Sequence, residues 1–264
     1  DNVGGTACLM YVASSSGWTQ LTFDKEISFT AGGASIPADG DTLTQGGNTA
    51  VIKRVVLETG TWGSSTAAGR LIIGTPTPGS FSAGAATIGA VGVTLSGVQT
   101  DVTFLPNGKF EFDINNFSGQ LSTRKIYGAY GVGRCFEFDG TVMVPIKTGA
   151  TVDTPKHIKV HHFHLFVSIG SSYMHSGLGT PYQFTALAGG GEATVGDTIT
   201  GFLVQPGNND TATMAIFSQT GSGMLYGTSV SNFKYIAYKT EVGCLPYMAQ
   251  NLDTSYMFDD QGMI

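Results

Sequence analysis

Charge is what this chain has least of. Only 12% of its 264 residues are charged, 13 Lys and Arg against 19 Asp and Glu, and the formal net charge is −6. No run of basic residues exceeds two, as in Lys53-Arg54 and Arg124-Lys125. Nucleic-acid binders gain affinity by neutralising phosphates with clustered Lys and Arg, so the composition argues against a phosphate-gripping role. Cysteine is scarce as well. Cys8, Cys135 and Cys244 are odd in number, far apart and in no CxxC pair, which points to reduced, buried thiols rather than a disulfide framework. No apolar run reaches bilayer length, and no basic-then-apolar leader precedes residue 20. Helical periodicity is missing over any three turns, so helix should be scarce.

Glycine, by contrast, is abundant at 38 residues, which suits short strands and tight turns. From about Lys125 onward one structural phrase recurs. Aliphatic or aromatic segments at 126–130, 164–168, 213–218 and 255–258 begin about 38, 49 and 42 residues apart. After each of the first three, a Gly- or Ser-marked turn leads to a second strand, at 134–138, 171–175 and 223–226. A third follows at 142–146, 182–185 and 233–238. A period of 40 to 50 residues built only of strands is how a β-propeller blade looks in sequence.

The N-terminal residues give strands at 6–12 and 18–23 around Ser14-Ser15-Ser16-Gly17, similar to the hairpin at 136–146. They read as the outer half of a blade, while 243–258 supplies inner strands alone. Either the two ends pair, or the missing strands lie in further chain. A start at Asp1 and a strand-like end favour a piece of a longer protein. Between them the texture changes to Gly, Ala, Thr and Ser with short β-branched runs. In Val51 to Glu58, the alternation of Val51, Lys53, Val55 and Leu57 with Ile52, Arg54, Val56 and Glu58 predicts a half-buried strand whose first set forms the apolar face, Lys53 apart. Further strands are expected at 70–73, 91–95, 102–104 and 109–114, with Asn107-Gly108 a hairpin signal. The predicted organisation is all-β: a half-blade at 1–26, an inserted β-sandwich or small barrel at 27–119, and propeller blades at 120–264.

Candidate chemistry centres on His157, His161, His162 and His164, with His175 beyond. On one extended strand His162 and His164 would share a face, with His161 on the other. Two imidazoles on one face could share a metal, given a third ligand from a neighbouring strand. Asp153 is the only acidic residue within eight positions, so the preferred reading is histidines hydrogen-bonded to backbone at blade edges. Asp259 and Asp260 are adjacent and would face opposite ways on a strand. That suits turn capping, as for Asp139-Gly140, better than acid–base work. Asn208-Asn209-Asp210 lacks the alternation of a calcium loop and reads as a solvated turn. Gly170-Ser171-Ser172 and Gly221-Ser222-Gly223 are strand-to-strand turns, not nucleophile elbows. Tyr226, Phe233, Tyr235 and Tyr238 could stack on sugars, but fit packing between blades better.

Several phrases resemble tail proteins of short-tailed bacteriophages. In the inserted region they are Gly40-Asp41-Thr42-Leu43-Thr44-Gln45-Gly46, Ile52-Lys53-Arg54-Val55-Val56, Gly60-Thr61-Trp62, Ala67-Ala68-Gly69-Arg70-Leu71 and Asn107-Gly108-Lys109-Phe110-Glu111-Phe112. In the repeat half they are Phe136-Glu137-Phe138-Asp139-Gly140, Asp153-Thr154-Pro155-Lys156-His157, His164-Leu165-Phe166, Ser176-Gly177-Leu178-Gly179-Thr180-Pro181 and Leu225-Tyr226-Gly227-Thr228-Ser229. Glu241-Val242-Gly243 and Phe258-Asp259-Asp260-Gln261-Gly262 close the series, the last departing from an Asp-Asp-Arg-Gly phrase. The family resembled is that of the tail nozzle, a propeller-bearing tube at the distal end of the short tail. The resemblance implies a non-enzymatic virion protein with no catalytic, cofactor or metal residue. Its partners would be copies of itself in a ring, neighbouring adaptor and fibre proteins, genomic DNA passing through the lumen unbound, and the host surface. The alternatives are a module that recognises a host glycan and, further off, a glycan depolymerase.

Overall fold

The computed structural model describes residues 5, 7–119, 123–206, 212–239, 241–251, 255–259 and 262–263. It is all-β, with 3% helix and 48% strand, so the expected scarcity of helix holds. Two compact units divide the chain: Asp1–Asn107 with Glu137–Pro145, and Gly108–Phe136 with Ile146–Ile264.

In the first unit, β1 (Tyr11–Ser14) and β2 (Gly17–Gln20) form a two-stranded hairpin, shorter than the sequence suggests. The region expected to be a sandwich or barrel is a closed six-stranded barrel. Its strands are β3 (Lys25–Gly32), β4 (Thr42–Gln45), β5 (Asn48–Thr59), β6 (Ala67–Ile73), β7 (Gly84–Ile88) and β8 (Val91–Leu95). The order is β6-β5-β4-β7-β8-β3, and β3 closes back on β6; the short β9 (Thr100–Asp101) adds to the start of β3. Closure leaves the six strands no unpaired edge. Ile27, Phe29, Leu43, Ile52, Leu71, Ile73 and Phe81 fill the interior, with Trp62 stacked on Phe29 at 5.2 Å.

One expectation for β5 is corrected. A register shift at Lys53 lets Ile52 pair with Ile73 and Arg54 with Ile72. The extra residue is a β-bulge, which exchanges the faces of the strand. Before it, Ala50 and Ile52 point inward; after it, Val55 and Leu57 pack on the same core. Val51, assigned to the apolar face by simple alternation, is instead exposed.

Three consecutive four-stranded meanders follow along the chain, the Glu137–Pro145 part of the first belonging to the first unit. The first is β10 (Glu111–Asn115), β11 (Lys125–Ala129), β12 (Phe136–Phe138) and β13 (Met143–Pro145). The second is β14 (Ile158–His161), β15 (His164–Ile169), β16 (Ser172–His175) and β17 (Gly191–Thr194). The third is β18 (Ile199–Val204), β19 (Met214–Ser218), β20 (Ser222–Tyr226) and β21 (Lys234–Lys239). Two small pairs follow, β22 (Gln250–Asn251) with β23 (Ser255–Tyr256), and β24 (Phe258–Asp259) with β25 (Gly262–Met263). The strand expected at 182–185 is absent; there the chain turns on hydrogen bonds from Gly177 N to Gln183 O and from Gln183 N to Thr180 O.

The sheets pack through alternate residues, as the pleat requires. Tyr127, Ala129 and Cys135 of the first meet Ile158, Leu165, Val167 and Met174 of the second. The opposite face of the second, with Phe166 and Tyr173, meets Ile199, Met214, Ile216 and Leu225 of the third. In each meander a glycine lies under a ring. A Cβ on Gly128 would come 2.4 Å from Phe136, one on Gly191 2.7 Å from His175, and one on Gly223 2.4 Å from Tyr235.

Candidate functional site

The histidine-rich stretch is a hairpin rather than the single strand its spacing suggests. His162 and Phe163 have φ of 47° and 57°, and His161 pairs directly with His164. Two consecutive left-handed residues make the tight turn whose twist suits a hairpin, although Asn-Gly is its usual sequence. The expected sharing is therefore rearranged. His161 and His164 face each other across the strands, and His162 sits at the tip. His164 also shares its face with Phe166 and, through the pairing of Phe166 with His175, with His175.

Four histidines thus gather on the face that packs towards the third meander. The His161 and His162 rings are 4.0 Å apart, and His164 and His175 stand perpendicular at 5.3 Å. Phe233 closes over His164, Phe166 and His175 at 5.2, 5.5 and 5.2 Å. Hydrogen bonds set the tautomers. His164 Nδ1 and His175 Nδ1 both donate to the Ser176 carbonyl, at 2.6 and 3.1 Å, while His162 Nε2 donates to Ala212 O at 3.2 Å. The backbone-bonded reading holds for these three. Each Nδ1–H tautomer leaves Nε2 as an acceptor, and that of His164 is buried with no partner, as is Nε2 of His161.

Burial favours the neutral form of three of them, His161, His164 and His175. Burial, then the neighbouring His162 and His164, pushes His161 down to about 3. Burial also lowers His164 and His175 against the opposing pull of the Ser176 carbonyl, with His162 and His164 respectively adding to the shift. Among the described residues, no three His, Cys, Asp or Glu side chains are grouped to hold a metal. The adjoining cavity, about 200 Å³, is lined by Asn115, Val160, His161, His162, Phe163 and Val204, with Ala212 completing it. It offers imidazoles and one amide and, among the described residues, no carboxylate to orient a general base.

His157 belongs to a different environment. Its Nδ1 lies 2.6 Å from Glu111 Oε2, and its ring packs on Tyr247 at 4.8 Å. Beside it a cavity of about 380 Å³ brings Glu111 and Lys159 together with Thr200, Tyr247, Gln250 and Asn251. Glu111 also accepts from Ile158 N at 3.4 Å, and Asp113 accepts from Val160 N at 2.7 Å. Both carboxylates thereby clamp β14 to β10.

The remaining candidates resolve into turns and packing. Asp139 Oδ1 accepts from Thr141 N, Thr141 Oγ1 and Val142 N at 2.8 to 2.9 Å. Burial alone would raise its pKa, but these bonds and Arg54 together lower it. Asp259 Oδ1 accepts from Gly262 N at 2.9 Å, as a turn cap does. Asp260 and Asn208-Asn209-Asp210 lie outside the described residues. Ser172 and Ser222 open strands after tight turns. Phe233 and Tyr235 pack in the core between the second and third meanders, whereas Tyr226 and Tyr238 line an open cleft of about 430 Å³ with Tyr256. Cys8, Cys135 and Cys244 are buried thiols, none in a disulfide. Among the described residues no helix is long and apolar enough to cross a membrane.

In comparisons with known proteins, no family model and no curated protein matches the chain.

The feature that sequence reasoning missed is a buried arginine. Arg70 is 1% exposed, in a strand that otherwise reads Ala-Ala-Gly-Leu-Ile-Ile. Its Nε donates to Glu58 Oε1 and its Nη2 to Pro145 O, each at 2.6 Å, and Nη1 pairs with Glu26. A lone cation in an apolar strand is the available signal, because such a charge is kept only when it is paired.

Proposed function

We propose that this chain is a structural component of a short bacteriophage tail, resembling the tail nozzle, and that copies assemble into a ring through which DNA passes. The observation that carries this reading is the set of three successive four-stranded meanders stacked face to face. Each has the strand number and connectivity of a propeller blade, and we take them as propeller blades. The histidines support an architectural role, since His161, His164 and His175 are buried in sheet packing that disfavours their charged form. The low charge and the −6 balance suit a wall along which DNA moves without counterion-release attraction. Electron microscopy of particles labelled on this chain tests the proposal. A ring on the tail axis is expected, and copies confined to peripheral fibres would sink it.

A second reading has its own observation. The cleft of Tyr226, Tyr238 and Tyr256 carries Gln205 and Ser222 and, among the described residues, no charged side chain. Aromatic faces with neutral hydrogen-bonding groups suit a saccharide. Binding of a soluble host polysaccharide, lost in Tyr238→Ala, would favour this reading, and cleavage of that polysaccharide would bring in depolymerase activity.

A further inference from the structure

The first strands of the three meanders lie side by side, β14 between β10 and β18. Near its start each gives one polar side chain to the cavity of about 380 Å³: Glu111 from β10, Lys159 from β14 and Thr200 from β18. Thr200 is the extra residue of a β-bulge, since Ile199 pairs with Ser218 and Gly201 with Phe217. Bulges re-aim side chains and recur beside functional sites. Thr200 is 1% exposed, and its hydroxyl has no hydrogen-bond partner within the fold. A buried hydroxyl without a partner costs free energy, and a ligand that bonds it recovers that cost. Tyr247 lines the same cavity and is held at φ 67°, a conformation bulky side chains disfavour. Its N–H donates to Thr200 O and its hydroxyl to Lys109 O, each at 3.4 Å, and Lys109 Nζ sits 4.0 Å from its ring centre. Strained residues held by their surroundings in this way gather at ligand clamps.

We infer that this cavity binds one sugar unit, a neutral ring carrying several hydroxyls. The charged walls set the ligand's charge. Glu111 is engaged by His157 Nδ1 at 2.6 Å and Lys159 by Asp113 at 3.4 Å, so a charged ligand would have to displace a partner from either. What both retain is hydrogen-bonding capacity, because a carboxylate accepts at about four lone-pair sites and an ammonium donates about three bonds. Gln250 and Asn251 add amides, which both donate and accept. A sugar hydroxyl also does both, so neighbouring hydroxyls match a wall that mixes acceptors, donors and amides. Phe202 and Ala249 supply apolar surface for the C–H face of the ring. The volume is near the lower end of ligand pockets, about 300–1,000 Å³, which suits a single ring rather than an extended chain. The site shares no lining residue with the tyrosine cleft and does not depend on copies forming a ring.

The test titrates the full chain with the methyl glycosides of glucose, galactose, mannose and N-acetylglucosamine, followed by saturation-transfer NMR. At least one is expected to bind at millimolar concentration or below; if none does, the inference falls. Thr200→Val keeps the shape of the side chain and should weaken that glycoside about fivefold, the worth of one hydrogen bond. Without sugar the same variant should unfold at a higher urea concentration, because the unpartnered hydroxyl is gone. A lower midpoint would mean that the hydroxyl is bonded inside the fold, and would overturn the proposal. Gln250→Ala alters an exposed side chain and should also weaken binding, while Tyr238→Ala should leave it unchanged. Binding that survives both cavity variants removes this site, and its loss in Tyr238→Ala then places the sugar in the tyrosine cleft. Particle microscopy tests the ring separately: an off-axis result leaves this site standing, and loss of this site leaves the ring standing.

Discussion

Arg70 shows how one residue can organise a barrel wall. Its guanidinium is taken out of water and answered by Glu26, Glu58 and the Pro145 carbonyl. Such a network adds modest net stability but is costly to break, because the orphaned carboxylates stay desolvated. Arg70→Ala is expected to destabilise the chain by about 3 kcal/mol, read as a lower urea midpoint. A shift under 1 kcal/mol would show that the carboxylates relax into solvent. His161 gives the second residue-scale expectation. Its pKa falls from an ordinary 6.5 to about 3 in the fold. Above pH 6.5 it is neutral folded or unfolded, and stability is complete. As pH drops from 6.5 towards 3 the unfolded chain takes up the proton first, so stability is lost across that window, on the order of a few kcal/mol. His164 and His175 act in the same direction. His161→Phe keeps the ring packing and should flatten stability between pH 6.5 and 4 in urea titrations; an unchanged slope would mean that His161 charges freely in the fold.

At the scale of elements, the turn at His162-Phe163 holds two bulky residues in the left-handed region, where side chains cost about 1–2 kcal/mol each. Replacing them by Asn-Gly should raise the melting temperature by a few degrees without altering the pairing of His161 with His164. A lower melting temperature would show that Phe163 contributes more through packing than it costs in strain. The glycines beneath rings give the opposite expectation. Gly128→Ala and Gly223→Ala should each destabilise by about 1–3 kcal/mol, because Phe136 or Tyr235 must leave its place, and equal melting curves would count against it.

This is also where the sequence was readable and where it was not. Strands β11, β15 and β19 were legible from aliphatic and aromatic runs ending at marked turns. Strand β10 was placed in the preceding region, although it pairs with β11. Strand β14 was hidden because its turn lacks Asn and Gly, so two strands read as one. Strand β17, Gly-Glu-Ala-Thr, has almost no β-propensity and is defined by its pairing with β16. At the histidines, composition showed that backbone would partner them, but only the register could show which rings meet. In β5 the alternation was sound on each side of Lys53, and the bulge that joins its halves leaves no trace in residue type.

For the whole molecule, the two compact units give these perturbations separate addresses. Native-state hydrogen exchange should accelerate in β3, β5 and β6 of Arg70→Ala, and in β14 to β16 of the unsubstituted chain at pH 4. Uniform acceleration in either experiment would mean one cooperative unit instead of two. The barrel's closure has a further consequence. Its chain arrives at Lys25 and departs at Asp101, which are paired side by side and joined by an ion pair. The covalent chain between thus enters and leaves at one place, and Arg70 on the Pro145 carbonyl with Arg54 on Asp139 is the second tether. Loops away from those two arginines can lengthen or shrink without moving the chain ends, whereas an exchange of β5 or β6 would cost the second tether.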